Sequence, residues 1–281
     1  VRHVPYVWPG ARLVAIGTIG QRQRLGHAHL WGTGMGGAGE PFHIARGWKR
    51  PGLTRLSATA LRGPFSAAML RAEGIEAPHV FGDPALLLPL FWPGEGVAKR
   101  HELGVFLHLS ELTGATLDAT PLPEFRRYQV PPALTGAVVV RHTLVPHSLA
   151  GMRAALEALL ACRRVLSTGL HALVLAEAYG IPCAAFDIHA GPPTTMAPED
   201  ERQPLDHRMR DFYAGLGARR VPVFRTERHL PTDWDAAIRF IDAHWAPTPF
   251  DPAPLLAAFP ARFGSLRAEP RREGLEALLG W

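Results

Sequence analysis

The chain is poor in lysine and cysteine and has no long apolar run, and each scarcity narrows what it can be. Among 281 residues there are 30 Lys plus Arg, and only Lys49 and Lys99 are lysines. No lysine-rich stretch or basic stripe interleaved with aromatics exists, which argues against nucleic-acid binding. Two cysteines, Cys162 and Cys183, lie in apolar segments. They fit buried thiols of a cytoplasmic protein better than a disulfide framework or a metal site. No segment approaches the ~18 to 20 apolar residues of a membrane span. No secretory leader is visible, although the chain begins with Val1 and a preceding segment is an open expectation. The Gly-x-Ser-x-Gly elbow of many hydrolases is missing. Gly32 to Gly37 is glycine-rich but lacks the Lys-Ser/Thr of a phosphate loop.

What is present is a globular composition, 47% hydrophobic and 20% charged, with mean hydropathy near zero. The net charge of +5 is carried almost wholly by arginine. It reads either as guanidinium forks for phosphate and carboxylate or as a compositional bias towards arginine. Short apolar runs alternate with helical patterns. Residues 11–16, 54–60, 80–81, 103–109, 137–141, 165–167 and 182–186 read as strands. Helices are expected over 63–73, with Pro64 in the first turn, over 148–162, with Ser148 as N-cap, and over 170–179. Further helices are expected over 233–244 and 254–279, and 190–203 reads as a mobile loop. Such alternation implies parallel sheets with helices on both faces. The fold class is therefore α/β with two Rossmann-like domains. The boundaries read as 1–98, 99–230 after a hinge in 93–102, and 231–281 as helices packing across the domains.

Three blocks carry a resemblance. The first runs from Ala60-Leu61-Arg62-Gly63-Pro64 through Gly74 to Gly82-Asp83-Pro84-Ala85-Leu86-Leu87-Leu88-Pro89. The second is VLSTGLHALVLAEAYGIP, Val165 to Pro182, and the third is Asp206 to Tyr213. A weaker fourth match is Trp31-Gly32-Thr33-Gly34. In this order and spacing they resemble the polysaccharide pyruvyl transferase family. The family's opening "N-x-G-D" loop has no counterpart, which implies a shortened chain or a member lacking part of one site. Gly169 stands where many relatives carry Ser or Arg before the Leu-His pair.

The resemblance implies a GT-B-type arrangement and transfer of pyruvate from phosphoenolpyruvate to a sugar hydroxyl pair as a ketal. The implied acceptor is a polysaccharide repeat unit or lipid-linked oligosaccharide, met in the cytoplasm or at the inner face of the membrane by peripheral association. No cofactor beyond the donor substrate and no metal are implied. His171, in the Leu-His pair after a strand-to-helix turn, is the candidate acid/base, since an imidazole shuttles protons near neutral pH. Its bland alternative is a histidine that packs the turn. Gly169 and Leu170 belong to the same donor-binding turn. Arg62 reads as a fork for the donor's anions or as a structural ion pair, perhaps with Asp83. Asp83 either orients an arginine or sugar hydroxyl, or completes a Gly-Asp-Pro turn. His108, inside the 103–109 strand, is a cleft candidate by the resemblance but reads more readily as a core residue, while Arg141 and His142, ending the strand before them, could face the same cleft. Arg208 approaches the donor phosphate or pairs with Asp211 on its own helix. Two rivals are a GT-B glycosyltransferase using a nucleotide sugar and a catalytically inactive carbohydrate-binding relative.

Overall fold

The computed structural model describes residues 3–36, 48–264 and 266. In chain order the elements are β1 (Ala11–Val14), β2 (His27–Trp31), β3 (Arg55–Ala60), α1 (Pro64–Ala72) and α2 (Leu88–Phe91). There follow β4 (Leu103–Leu107), β5 (Val138–His142), α3 (Leu149–Leu160), β6 (Val165–Ser167), α4 (Leu170–Ala178), β7 (Cys183–Asp187) and β8 (Thr194–Met196). The described residues continue with α5 (His207–Gly215), β9 (Val221–Arg225), α6 (Trp234–His244) and α7 (Pro252–Ala257). This is a mixed α/β protein whose parallel strands are flanked by helices. No helix among the described residues is long and apolar enough to cross a membrane.

Two compact units result, and each is discontinuous in sequence. The first comprises residues 1–92, 198–219 and 248–281, and the second 93–197 and 220–247. The change at 92/93 falls at the start of the expected hinge. Residues 198–219, read from the sequence as part of the second domain, lie in the first unit. The closing segment divides, α6 falling in the second unit and α7 in the first.

The first unit is built on a parallel sheet of order β1-β2-β3, prolonged by a bridge from Leu61 to Phe81. Val14, Ala28, Leu30 and Leu56 meet Leu61, Ala67 and Leu70 in its core. Glycine punctuates α1 as expected. Gly63 precedes it, and Gly74 follows with φ +67, a left-handed conformation that favours glycine. α7 stops at Ala257, ahead of Pro260. The helix expected over 254–279 is thus interrupted, and its part beyond 266 lies outside the described residues, as does Gly37 of the glycine-rich turn.

The second unit holds a six-stranded sheet of order β5-β4-β6-β7-β9-β8, parallel except for β8. All five residues of β4 are buried, as befits a strand covered on both faces. Leu103, Val105, Leu107, Leu166, Phe186, Phe224, Trp234 and Ile241 share its core. Removing one such Leu or Ile side chain typically costs about 2–5 kcal/mol. Ser148 caps α3, its Oγ accepting from the Gly151 N–H at 3.0 Å. On that helix Leu156, Leu159 and Leu160 are buried while Met152 is exposed.

Two departures matter for the site. β4 was expected to reach residue 109 but ends at Leu107, because 109–111 close a 3-10 turn. Thr194–Met196, inside the expected loop, pairs antiparallel with β9.

Candidate active site at the switch point of the second sheet

Strand order fixes where a ligand can sit. From β4 the chain moves outward to β5, then returns past β4 to β6. The carboxyl ends of β4 and β6 therefore flank the point where the winding reverses, the usual ligand crevice of an open α/β sheet. His108 directly follows β4, and Ser167-Thr168-Gly169 lead from β6 into α4.

His171 occupies the first turn of α4 and is exposed. Gly169, the N-cap, offers no side chain to that turn, and its backbone (φ −111, ψ 148) is ordinary extended chain. A Cβ there would meet Ser167 Oγ at 3.8 Å and His108 at 3.9 Å, ordinary contact distances. The rest of α4 is apolar, with Leu170, Ala172, Leu173, Val174 and Ala176 buried. The helix is thus held rigidly while its amino end, with the positive end of the helix dipole, faces the crevice.

His108 is half-buried, its Nδ1 accepting from the Ser110 N–H at 3.3 Å and lying 3.0 Å from Ser110 Oγ. An accepting Nδ1 places the ring proton on Nε2 when the imidazole is neutral. It is therefore not an apolar-core residue but the N-cap of the 3-10 turn that stops β4. On β5, Arg141 is exposed and lies opposite Phe106 in the register, whereas His142 Nε2 is 3.0 Å from the Leu117 carbonyl.

Further along the same edge lies a charged cluster that the sequence did not bring to notice. Glu111, buried, accepts from the Tyr128 hydroxyl at 2.6 Å and from Arg228 Nη2 at 2.7 Å. Arg127, also buried, stacks its guanidinium 3.6 Å from the Phe186 ring centroid. Burial raises the Tyr128 phenol above its ordinary range and lowers the Arg127 guanidinium. Asp187, closing β7, binds His189 at 2.7 Å and Arg225 at 3.1 Å. Apart from Asp187–His189, these contacts link residues distant in sequence, so spacing carries no signal for them.

In the first unit the singled-out residues make polar contacts within the fold. Arg62 is fully buried, and its Nε donates to Asp211 Oδ2 at 3.1 Å while Nη1 donates to Thr18 Oγ1 at 2.6 Å. The ion-pair reading thus describes its geometry, with Asp211 in place of Asp83. Asp211 also accepts from the Ser66 N–H at 2.9 Å and the Ser66 hydroxyl at 2.5 Å. It thereby fills the anion seat at the start of α1. A Cβ on Gly63 would lie 1.7 Å from the Asp211 carbonyl oxygen, so only glycine fits under α5 there. Asp83 is buried and its Oδ1 accepts from the Ala85 N–H at 3.0 Å, the turn-forming role. Arg208 pairs with Asp206 at 2.7 Å rather than with Asp211. His207 Nε2 donates to the Met35 carbonyl at 2.9 Å, and burial lowers its pKa. Among the described residues no group of three or more His, Cys, Asp or Glu is arranged to hold a metal ion.

Residues 50–189 match the family model described as Polysaccharide pyruvyl transferase. Over that span the chain belongs to this family. The match takes in the Arg62–Pro89 block and the Val165–Pro182 block, and with the latter the whole β6–α4 turn of the switch point. The Trp31–Gly34 and Asp206–Tyr213 resemblances fall outside it. No curated protein matches the chain. The family's name suggests a polysaccharide pyruvyl transferase activity.

Proposed function

We propose that this protein transfers the pyruvyl group of phosphoenolpyruvate to two hydroxyls of one sugar, forming a cyclic ketal, at the carboxyl edge of the second sheet. One observation carries the reading. The Leu-His pair of the family-matched segment coincides with the switch point, and His171 stands exposed in the first turn of a buried, rigid helix.

The chemistry conserves redox state. One sugar hydroxyl adds to C2 of the enol while a proton reaches the C3 methylene, which becomes a methyl group. The second hydroxyl oxygen then displaces inorganic phosphate from C2, and its proton leaves with the phosphate or the base. His171 takes the hydroxyl proton and supplies the one delivered to C3. The amino end of α4, with the positive end of its helix dipole, receives donor oxygens, and Arg141 contributes a cation on the same edge. His108 lies across the crevice on the β4 side. The acceptor is a repeat unit of a cell-surface glycan or its lipid-linked precursor, and the latter would bring a cytoplasmic protein to the membrane surface.

The test is His171→Ala in a protein that keeps its circular dichroism and melting temperature. Ketal formation and phosphate release from phosphoenolpyruvate should fall roughly 10²- to 10⁴-fold. Near wild-type turnover would remove His171 from the mechanism. Thermal-shift screening adds a second arm. Stabilisation by phosphoenolpyruvate supports the reading, whereas stabilisation only by uridine or guanosine diphosphate would replace it with nucleotide-sugar transfer.

A further inference from the structure

The β6–α4 turn is fastened to the end of β4 by two consecutive hydroxyls. Ser167, fully buried, accepts from the Gly169 N–H at 3.0 Å, and its Oγ lies 2.8 Å from the Phe106 carbonyl and 2.9 Å from that of Gly169. Thr168 donates its N–H to the Phe106 carbonyl at 3.1 Å, the last backbone bond between the two strand ends. In a continuing parallel ladder the His108 N–H would next seek the Thr168 carbonyl. It donates instead to Thr168 Oγ1, at 2.7 Å. The threonine hydroxyl thus ends the ladder and holds β4 and β6 where they part.

His108 is consequently gripped at two points, its N–H by Thr168 and its Nδ1 by Ser110. Thr168 itself lies one residue after Ser167, the partner of Phe106 in the ladder, and three before His171, so one hydroxyl couples the backbone carrying both histidines. We infer that Thr168 is a positioning residue of the reaction, acting through His108 and setting its place relative to His171. The inference rests on the reading that these two imidazoles flank the reacting centre.

The experiment compares Thr168→Val, which removes the hydroxyl at nearly constant shape, with Thr168→Ser, which keeps it. In each full-length variant three quantities are measured: the melting temperature, the ¹⁵N resonances of the His108 and His171 rings across pH 5 to 9, and phosphoenolpyruvate affinity by calorimetry. Thr168→Val should shift the His108 ring signals towards a mixture of tautomers and weaken phosphoenolpyruvate about five- to tenfold, the scale of one lost hydrogen bond. Thr168→Ser should restore both. A Thr168→Val protein with wild-type ring signals and affinity, whatever its melting temperature, would reduce the hydroxyl to a strand fastener and overturn the inference. Should the valine variant not fold, Thr168→Ala takes its place in the same comparison. If the wild-type chain binds no phosphoenolpyruvate, the functional reading fails alone. The ring signals then decide, moved signals supporting the positioning role and unmoved ones ending it.

Discussion

Converting Asp211 to Asn tests the ion pair that closes the first unit. The carboxylate is fully buried and accepts three hydrogen bonds, from Arg62 Nε and from the amide and hydroxyl of Ser66. Asn keeps one acceptor for the Ser66 amide but turns an NH₂ group towards Arg62 and removes its counter-charge. Arg62 has no exposed surface, and its Nη2 already lacks a hydrogen-bond partner among the described residues. Breaking a buried pair from one side costs about 3–5 kcal/mol, because the remaining charge stays buried and uncompensated. At roughly 2–4 °C per kcal/mol for a chain of this size, the melting temperature should fall by about 6–20 °C. Urea denaturation of Asp211→Asn, Arg62→Met and the double variant gives the coupling, and the double should be less destabilised than the sum by about 2 kcal/mol or more. Single costs below about 1 kcal/mol, or strict additivity, would refute the structural role. An Arg62→Met protein that keeps its stability but loses phosphoenolpyruvate binding would return Arg62 to the donor site.

Other expectations follow from burial and space. Gly63→Ala should be strongly destabilising, by about 2 kcal/mol or more, since its Cβ would collide with the Asp211 backbone. Gly169→Ala, with its nearest neighbour at 3.8 Å, should change stability by less than about 0.5 kcal/mol, and the paired melting curves check both. His27, His29 and His207 all have folded-state pKa values lowered, chiefly by burial; nearby arginines add to this at His27, and His27 and Arg262 add to it at His29. The unfolded chain then takes up protons first as pH falls. Stability should be full above the ordinary histidine pKa of about 6.5 and decline as pH drops through and below it. Urea midpoints at pH 7.5 and 5.5 check the sign, and a midpoint that holds or rises in acid for wild type, or an unchanged slope in His27→Asn/His29→Asn, would contradict it.

The elements with strong local signals were legible. α1, α3 and α4 announce themselves by Pro64, Ser148 and the glycines at 74 and 180, and the buried strand β4 by its apolar run. The β6–α4 turn with its Leu-His pair was legible too, because the motif and the strand-helix boundary coincide in one short stretch. β8 was not, being three residues long and defined only by its pairing with β9. Nor was the partner of Arg62, which is 149 residues away, beyond any spacing argument. The winding reversal at β4 was hidden for a similar reason. Strands β4 and β5 are joined by residues 108–137, which contain only 3-10 turns, so the crossover lacks the helix that marks parallel connections. The arginine excess resolves partly into internal cross-links. Arg12 alone donates to the carbonyls of Tyr6, Trp8, Gly10, Arg24 and Leu25.

The discontinuity of the first unit has a consequence during synthesis. At about 5–20 residues per second, the 149 residues between Arg62 and Asp211 take roughly 7–30 s to emerge. Throughout that interval the nascent amino-terminal sheet carries a guanidinium without the Asp211 carboxylate to receive it, while β4 to β8 emerge in turn. A fragment cut at the 92/93 boundary would keep that defect permanently, so the amino-terminal third is not a self-sufficient folding piece.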